Sequence, residues 1–196
     1  MKHNGFEYVD LGLPSGTKWA KYNVGAYSET DNGLYFPFGG IVGLDSPYYE
    51  GNFDSHKLKF NGDKKATLHL DNDAAHIHMG GKWHMPTKEQ FEELLDEKNT
   101  VSTWIYDYCI REVSGRLFRS RINNETLFIP ANGFISNHQY VQNGQTCSLW
   151  TSSIDFSSVY NCTDFFCDKY NTYLARTSAY YVCIGIRGVF NTFWIK

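Results

Sequence analysis

The stretch RLFRSRINNETLFIPANGF, Arg116 to Phe134, sets the fold class. Its residues follow a period of two across an Asn123–Asn124 pair, and asparagine tolerates the left-handed backbone of a tight turn, so the stretch predicts a β-hairpin. The same period continues downstream, where short strands are expected around Leu149–Ser152, Asn161–Phe166, Thr172–Leu174 and Val182–Val189. Upstream the pattern differs. PTKEQFEELLDEK, Pro86 to Lys98, predicts a helix in which Thr87 caps the first turn and Gln90 completes a capping box. Phe91, Leu94 and Leu95 fall on one face, with Glu92, Glu93 and Asp96 turned to water. A second helical turn is expected near Ala74–Ala75. Residues 6–26, FEYVDLGLPSGTKWAKYNVGA, read as short strands broken by a turn at Pro14-Ser15-Gly16. The segment from Asp31 to Lys65 reads as irregular loop with aromatic anchors. Few helices among many short antiparallel strands, with no internal repeat and no boundary, predict one α+β domain over 1–196.

The totals narrow the function. With a net charge of −3, a pI near 6.1 and no run of Lys or Arg, the chain lacks the basic face of a nucleic-acid binder. No apolar run approaches the roughly 20 residues of a membrane span, and MKHNGFEYVDLGL lacks the apolar core of a signal peptide. Five cysteines, Cys109, Cys147, Cys162, Cys167 and Cys183, show no zinc-type spacing. Cys162 and Cys167 are close enough in sequence to bridge, but free thiols made in a reducing compartment are the plainer expectation.

Catalytic motifs are sparse. His69, His76, His78 and His84 cluster in HLDNDAAHIHMGGKWH, yet no carboxylate or Cys completes a ligand set, so they read as loop histidines rather than metal ligands. There is no Gly-x-Ser-x-Gly elbow and no thiol-protease signature, and Gly39-Gly40 and Gly80-Gly81 lack the Lys and helix of a phosphate loop. No cofactor is implied, and the chain reads as a non-enzyme.

One region stands apart. FSSVYNCTDFFCDKYNTYLARTSAYYVC, Phe156 to Cys183, holds five Tyr, three Phe and three Cys, with no Glu, Gln, Met, Trp, Gly or Pro. Tyr and Phe give large, stiff contact area at low entropy cost, while Ser, Asn and Thr adapt their hydrogen bonds; this is the composition of a paratope. Strand alternation buries Phe165 and turns Phe166 outward. A core of this size does not easily hold every ring, so an exposed aromatic patch is expected.

The scaffold segments YVDLGLPSGTKWAKYNVGA (8–26), DAAHIHMGGKWHMPTKEQFEELL (73–95), LFIPANGF (127–134), LWTSS (149–153) and IGIRGVF (184–190) resemble paralogous domains of gut bacteria and their phages. Those domains have a C-type-lectin-like fold related to the formylglycine-generating enzymes. A diversified C-terminal segment on this layout resembles the variable proteins of diversity-generating retroelements, among them the phage tropism determinant that binds host receptors. In such systems template adenines are altered, typically in AAC codons. NNC codons cannot encode Glu, Gln, Lys, Met or Trp. From 154 to 183 these are absent apart from Lys169, which would be a fixed position.

The resemblance implies non-catalytic binding of a protein or glycan on a bacterial surface by a hypervariable segment at about 154–183, displayed on a phage or bacterial surface and multivalent on a larger assembly. Contacts are expected from Ile154, Asp155, Phe156, Tyr160, Asp164, Phe166, Tyr170, Asn171, Tyr173, Tyr180, Tyr181 and Cys183. Trp150, Gly185 and Arg187 are expected in the scaffold. The Glu-Pro-Asn, Gln-Pro-Asp and Trp-Asn-Asp motifs of calcium-dependent lectins are absent, so sugar binding through calcium is not implied. The alternative is a metal- or thiol-dependent enzyme akin to the formylglycine-generating oxidases, which use a cysteine pair.

Overall fold

A computed structural model describes residues 1–48, 60–61, 67–154, 161–178 and 182–191. The chain opens with β1 (Lys2–His3) and β2 (Phe6–Val9), joined through Asn4 and Gly5. Both turn residues have positive φ, the twist that a two-residue hairpin favours. After the turn in which Gly16 N–H donates to the Leu13 carbonyl comes β3 (Thr17–Ala20). Then follow β4 (Tyr35–Phe36), β5 (Phe60–Asn61) and β6 (Thr67–Leu68).

Helix α1 (Ala74–Met79) is capped by Asp73, whose buried carboxylate accepts from the amides of His76 and Met85. Helix α2 (Lys88–Leu95) carries the expected capping box between Thr87 and Gln90. Its apolar face buries Phe91 against Trp19 and Phe165, at ring-centroid distances of 5.0 and 4.9 Å. An antiparallel meander follows: β7 (Thr100–Tyr108), β8 (Val113–Ser120) and β9 (Thr126–Pro130). The predicted hairpin is β8–β9, with Asn124 at φ 63° in its turn.

The last third builds the central sheet from β10 (Phe134–Ser136), β11 (Gln139–Val141), β12 (Cys147–Ile154), β13 (Asn161–Cys167), β14 (Thr172–Ser178) and β15 (Val182–Gly185). The spatial order is β11-β10-β15-β12-β13-β14, and β4 adds to β15 while β6 adds to β12. Strand β16 (Val189–Asn191) leaves this sheet and pairs with β3, so the terminal sheet runs β1-β2-β3-β16. The fold is thus α+β, mostly strand, with two short α-helices among the described residues. The pairings are antiparallel except β12 with β15, at Leu149 and Gly185.

Two buried clusters hold these layers. Trp83, Trp150, Phe36, Phe38 and Ile184 share one. Trp19, Phe91, Phe118, Leu149, Phe165 and Val189 share the other. Arg187 lies between β15 and β16 and is wholly buried. Its Nε donates to Asn23 Oδ1, Nη1 to the carbonyls of Ala20 and Lys21, and Nη2 to that of Phe128. The guanidinium so satisfies carbonyls from β3, the loop after it and β9, and ties the terminal sheet to the β7–β9 meander. Asn132 acts similarly on β12, accepting from Ser148 N–H and donating to Ser148 C=O at 2.9 Å each. Trp150 and Gly185 are also interior: Trp150 Nε1 donates to the Phe36 carbonyl, and a Cβ on Gly185 would meet Asn132 Nδ2 at 2.7 Å.

Candidate ligand-binding face

Strands β13 and β14 pair in simple antiparallel register, with Phe165 opposite Leu174 and Phe166 opposite Tyr173. Alternation then sorts the side chains. Phe165, Cys167 and Leu174 point into the cluster beneath α2. Phe166 and Tyr173 lie on the opposite face as a cross-strand aromatic pair, ring centroids 5.3 Å apart. Tyr173 is 48% exposed, and Tyr170, in the connecting turn, is 77% exposed.

The turn is a built structure. Asp168 Oδ1 accepts from the amides of Tyr170 and Asn171, both at 2.7 Å, and Asp168 N–H donates to the Asn171 carbonyl. Partial burial pushes the Asp168 carboxyl up, but the Asn171 and Tyr170 amides, with Arg116 beyond them, hold it below the usual carboxylate range. From β8, Arg116 Nη2 donates to the Asp168 carbonyl at 2.6 Å and reaches the Asn171 carbonyl at 3.4 Å. A buried scaffold arginine therefore grips both ends of the turn that projects Tyr170. Lys169 lays its ammonium 4.5 Å from the Tyr170 ring centroid. Tyr170 raises the Lys169 pKa, and Tyr106 and Asp168 add to the effect. Tyr106, on β7 and 66% exposed, so belongs to the same surface.

The expected contact residues divide into three groups. Phe166, Tyr170, Asn171 and Tyr173 cluster on the hairpin, and Ile154 is half-buried at the end of β12 against the Trp150 cluster. Asp164 and Cys183 are only 2% and 4% exposed, so neither presents its side chain on the described surface. Both sit in strands flanked by neighbours on either side, and Cys183 packs with Tyr35 and Ile135. Asp155, Phe156, Tyr160, Tyr180 and Tyr181 lie outside the described residues. Sequence reasoning missed Tyr106, Arg116 and Asp168. Only Asp168 carried a local signal, the Asp-x-x-Asn spacing of a turn.

The other candidate chemistries disperse. His76 and His78 contact the carbonyls of Trp83 and Ile41, and His84 that of Met85. Among the described residues no group of three or more His, Cys, Asp or Glu is placed to hold a metal ion. Cys162 and Cys167 share β13 at odd spacing, fall in different core clusters and are free thiols. A pocket of about 250 Å³ opens beside Phe6, Tyr22, Val24, Tyr27 and Met79. It falls short of the roughly 300 Å³ at which small-ligand sites begin. No helix among the described residues is long and apolar enough to cross a membrane. Comparison with models of known families, with curated proteins and with solved structures finds no match.

Proposed function

We propose that this chain is a non-catalytic binding domain that grips a protein or glycan on a bacterial surface through a diversified C-terminal segment. The frame is read as a single C-type-lectin-like domain, and the segment as the hypervariable region of a retroelement-diversified protein on a phage or cell surface. The observation that carries this reading is the β13–β14 turn. Tyr170 and Tyr173 are exposed, while Arg116 and Asp168 hold the backbone beneath them. Rigid display of aromatic side chains limits the ordering cost of binding. The segments that carry the family resemblance also supply the core: Val9, Leu11, Trp19, Trp83, Phe91, Leu127, Trp150 and Ile186 are all buried.

A thiol-dependent enzyme needs a nucleophile that substrate can reach. Cys147, Cys162, Cys167 and Cys183 are buried, which leaves Cys109, exposed between β7 and β8, as the thiol that a substrate could reach.

The test is a display library with NNC codons at Tyr170, Asn171 and Tyr173, selected on fixed gut-bacterial cells. Most members are expected to fold with the parent's Tm, and the cells they recognise should differ among members. General loss of folding, or one unchanged preference across the library, would contradict the proposal.

A further inference from the structure

We propose that Cys147 and Cys167 form a redox-active dithiol that closes into a disulfide across β12 and β13 on exposure to hydrogen peroxide. The two are direct partners in the antiparallel register. Such partners have Cα atoms about 4.5–5.5 Å apart, inside the roughly 4.4–6.8 Å span that a disulfide bridges. Both side chains enter the same cluster, where the Cys147 thiol donates to the Ile129 carbonyl at 3.3 Å.

Arg116 supplies the second element. It is 7% exposed, lies beside Cys167, and its Nε has no hydrogen-bond partner among the described residues. A buried cation with an unused donor favours an anion next to it. Burial pushes the Cys167 thiol up, but the neighbouring Cys147 thiol and the Arg116 charge outweigh it, leaving Cys167 below the ordinary thiol value. Burial and the Cys167 neighbour push Cys147 well above it. Cys167 is thereby the sulfur that ionises more readily and Cys147 the one that keeps its proton, the division that dithiol oxidation uses.

The chemistry closes on these atoms. Cys167 thiolate attacks one peroxide oxygen and releases hydroxide, which takes a proton to become water, leaving Cys167 as sulfenic acid. Cys147 sulfur attacks the Cys167 sulfur and gives up its proton. The Sγ–Sγ bond forms as the hydroxyl departs as a second water. Two thiols lose two electrons, and one peroxide becomes two waters. Peroxide is close to water in size, so brief opening of the strand ends admits it where a peptide substrate would not enter.

The bond clamps the base of the hairpin that carries Tyr170 and Tyr173. It forms or fails to form whatever that hairpin binds. The experiment treats folded, reduced protein with peroxide, alkylates remaining thiols after denaturation and maps the peptides. The expected product is a Cys147–Cys167 cross-link, reversed by dithiothreitol, with a Tm higher by about 5–10 °C. In Cys147→Ser the cross-link is lost and Cys167 is expected to carry sulfinic acid instead. If Cys147 and Cys167 both remain alkylatable in treated protein, or if the cross-link joins another pair, the proposal is overturned.

Discussion

Arg187 carries its charge into the interior, held by four donations to neutral carbonyl and amide oxygens. Burial pushes its pKa down to about 10, still far enough above neutrality to keep it charged. Replacing it with Ala leaves the carbonyls of Ala20, Lys21 and Phe128 without a donor and opens a cavity between the sheets. A loss of about 3–5 kcal/mol is expected in urea unfolding, and Arg187→Lys should recover only part of it because an ammonium cannot span the fork. Asp168 makes a pH-dependent contribution. Its folded pKa is depressed below the ordinary 3.8, so the stabilisation is complete above that value and is lost as pH falls through the folded one. The amide resonances of Tyr170 and Asn171 should hold steady from neutral pH down to about 5 and shift only below about 4. Asp168→Asn should weaken the turn at neutral pH. At this scale the sequence was readable where one local rule decided the outcome: Thr87 with Gln90, or buried Phe165 beside outward Phe166. Arg187 was readable as scaffold, but its four partners come from segments more than fifty residues away and left no local trace.

Among the elements, α2 and the β8–β9 hairpin follow from capping and period, and the structure has both. Strand β7 was missed. Its sequence, TVSTWIYDY, puts apolar Val101, Ile105 and Tyr106 beside core-side Trp104, and that blurs the alternation a one-sided strand should show. Strands β13 and β15 misled in the opposite sense, because central strands cover both faces and bury Asp164 and Cys183 along with their apolar neighbours. The β13–β14 hairpin depends on β8 through Arg116. In Arg116→Ala, amide exchange at Lys169, Tyr170 and Asn171 should accelerate while α2 keeps its protection, at a cost of about 1–3 kcal/mol. Equal acceleration everywhere would mean that Arg116 supports the whole fold rather than the turn. Gly133 tests the join between β9 and β10. It has φ 58°, and an added Cβ would lie 2.3 Å from the Val141 carbonyl oxygen. Gly133→Ala should therefore destabilise by about 1–3 kcal/mol, seen as a lower Tm without loss of secondary structure.

The whole molecule joins a tightly specified frame to a surface whose side chains the frame does not need. Buried tryptophans, Arg187 and Asn132 tie the N-terminal strands, the two helices and the central sheet together. Tyr170 and Tyr173 contribute little to that packing. This separation is what a diversified binding surface requires, since replacing the exposed rings must leave the fold intact. The fold class was legible because strand period and helix caps are local. The composition of 156–183 singled out the segment in which Tyr170 and Tyr173 are exposed, but which residues face outward depended on strand order and register, which no local window contains. The decisive measurement pairs binding with stability for Tyr170→Ala/Tyr173→Ala. Binding to the cells recognised by the parent should weaken by about 2–4 kcal/mol, as expected of two aromatic contacts, while the Tm stays within a few degrees. Unchanged binding by a folded double variant would contradict the account.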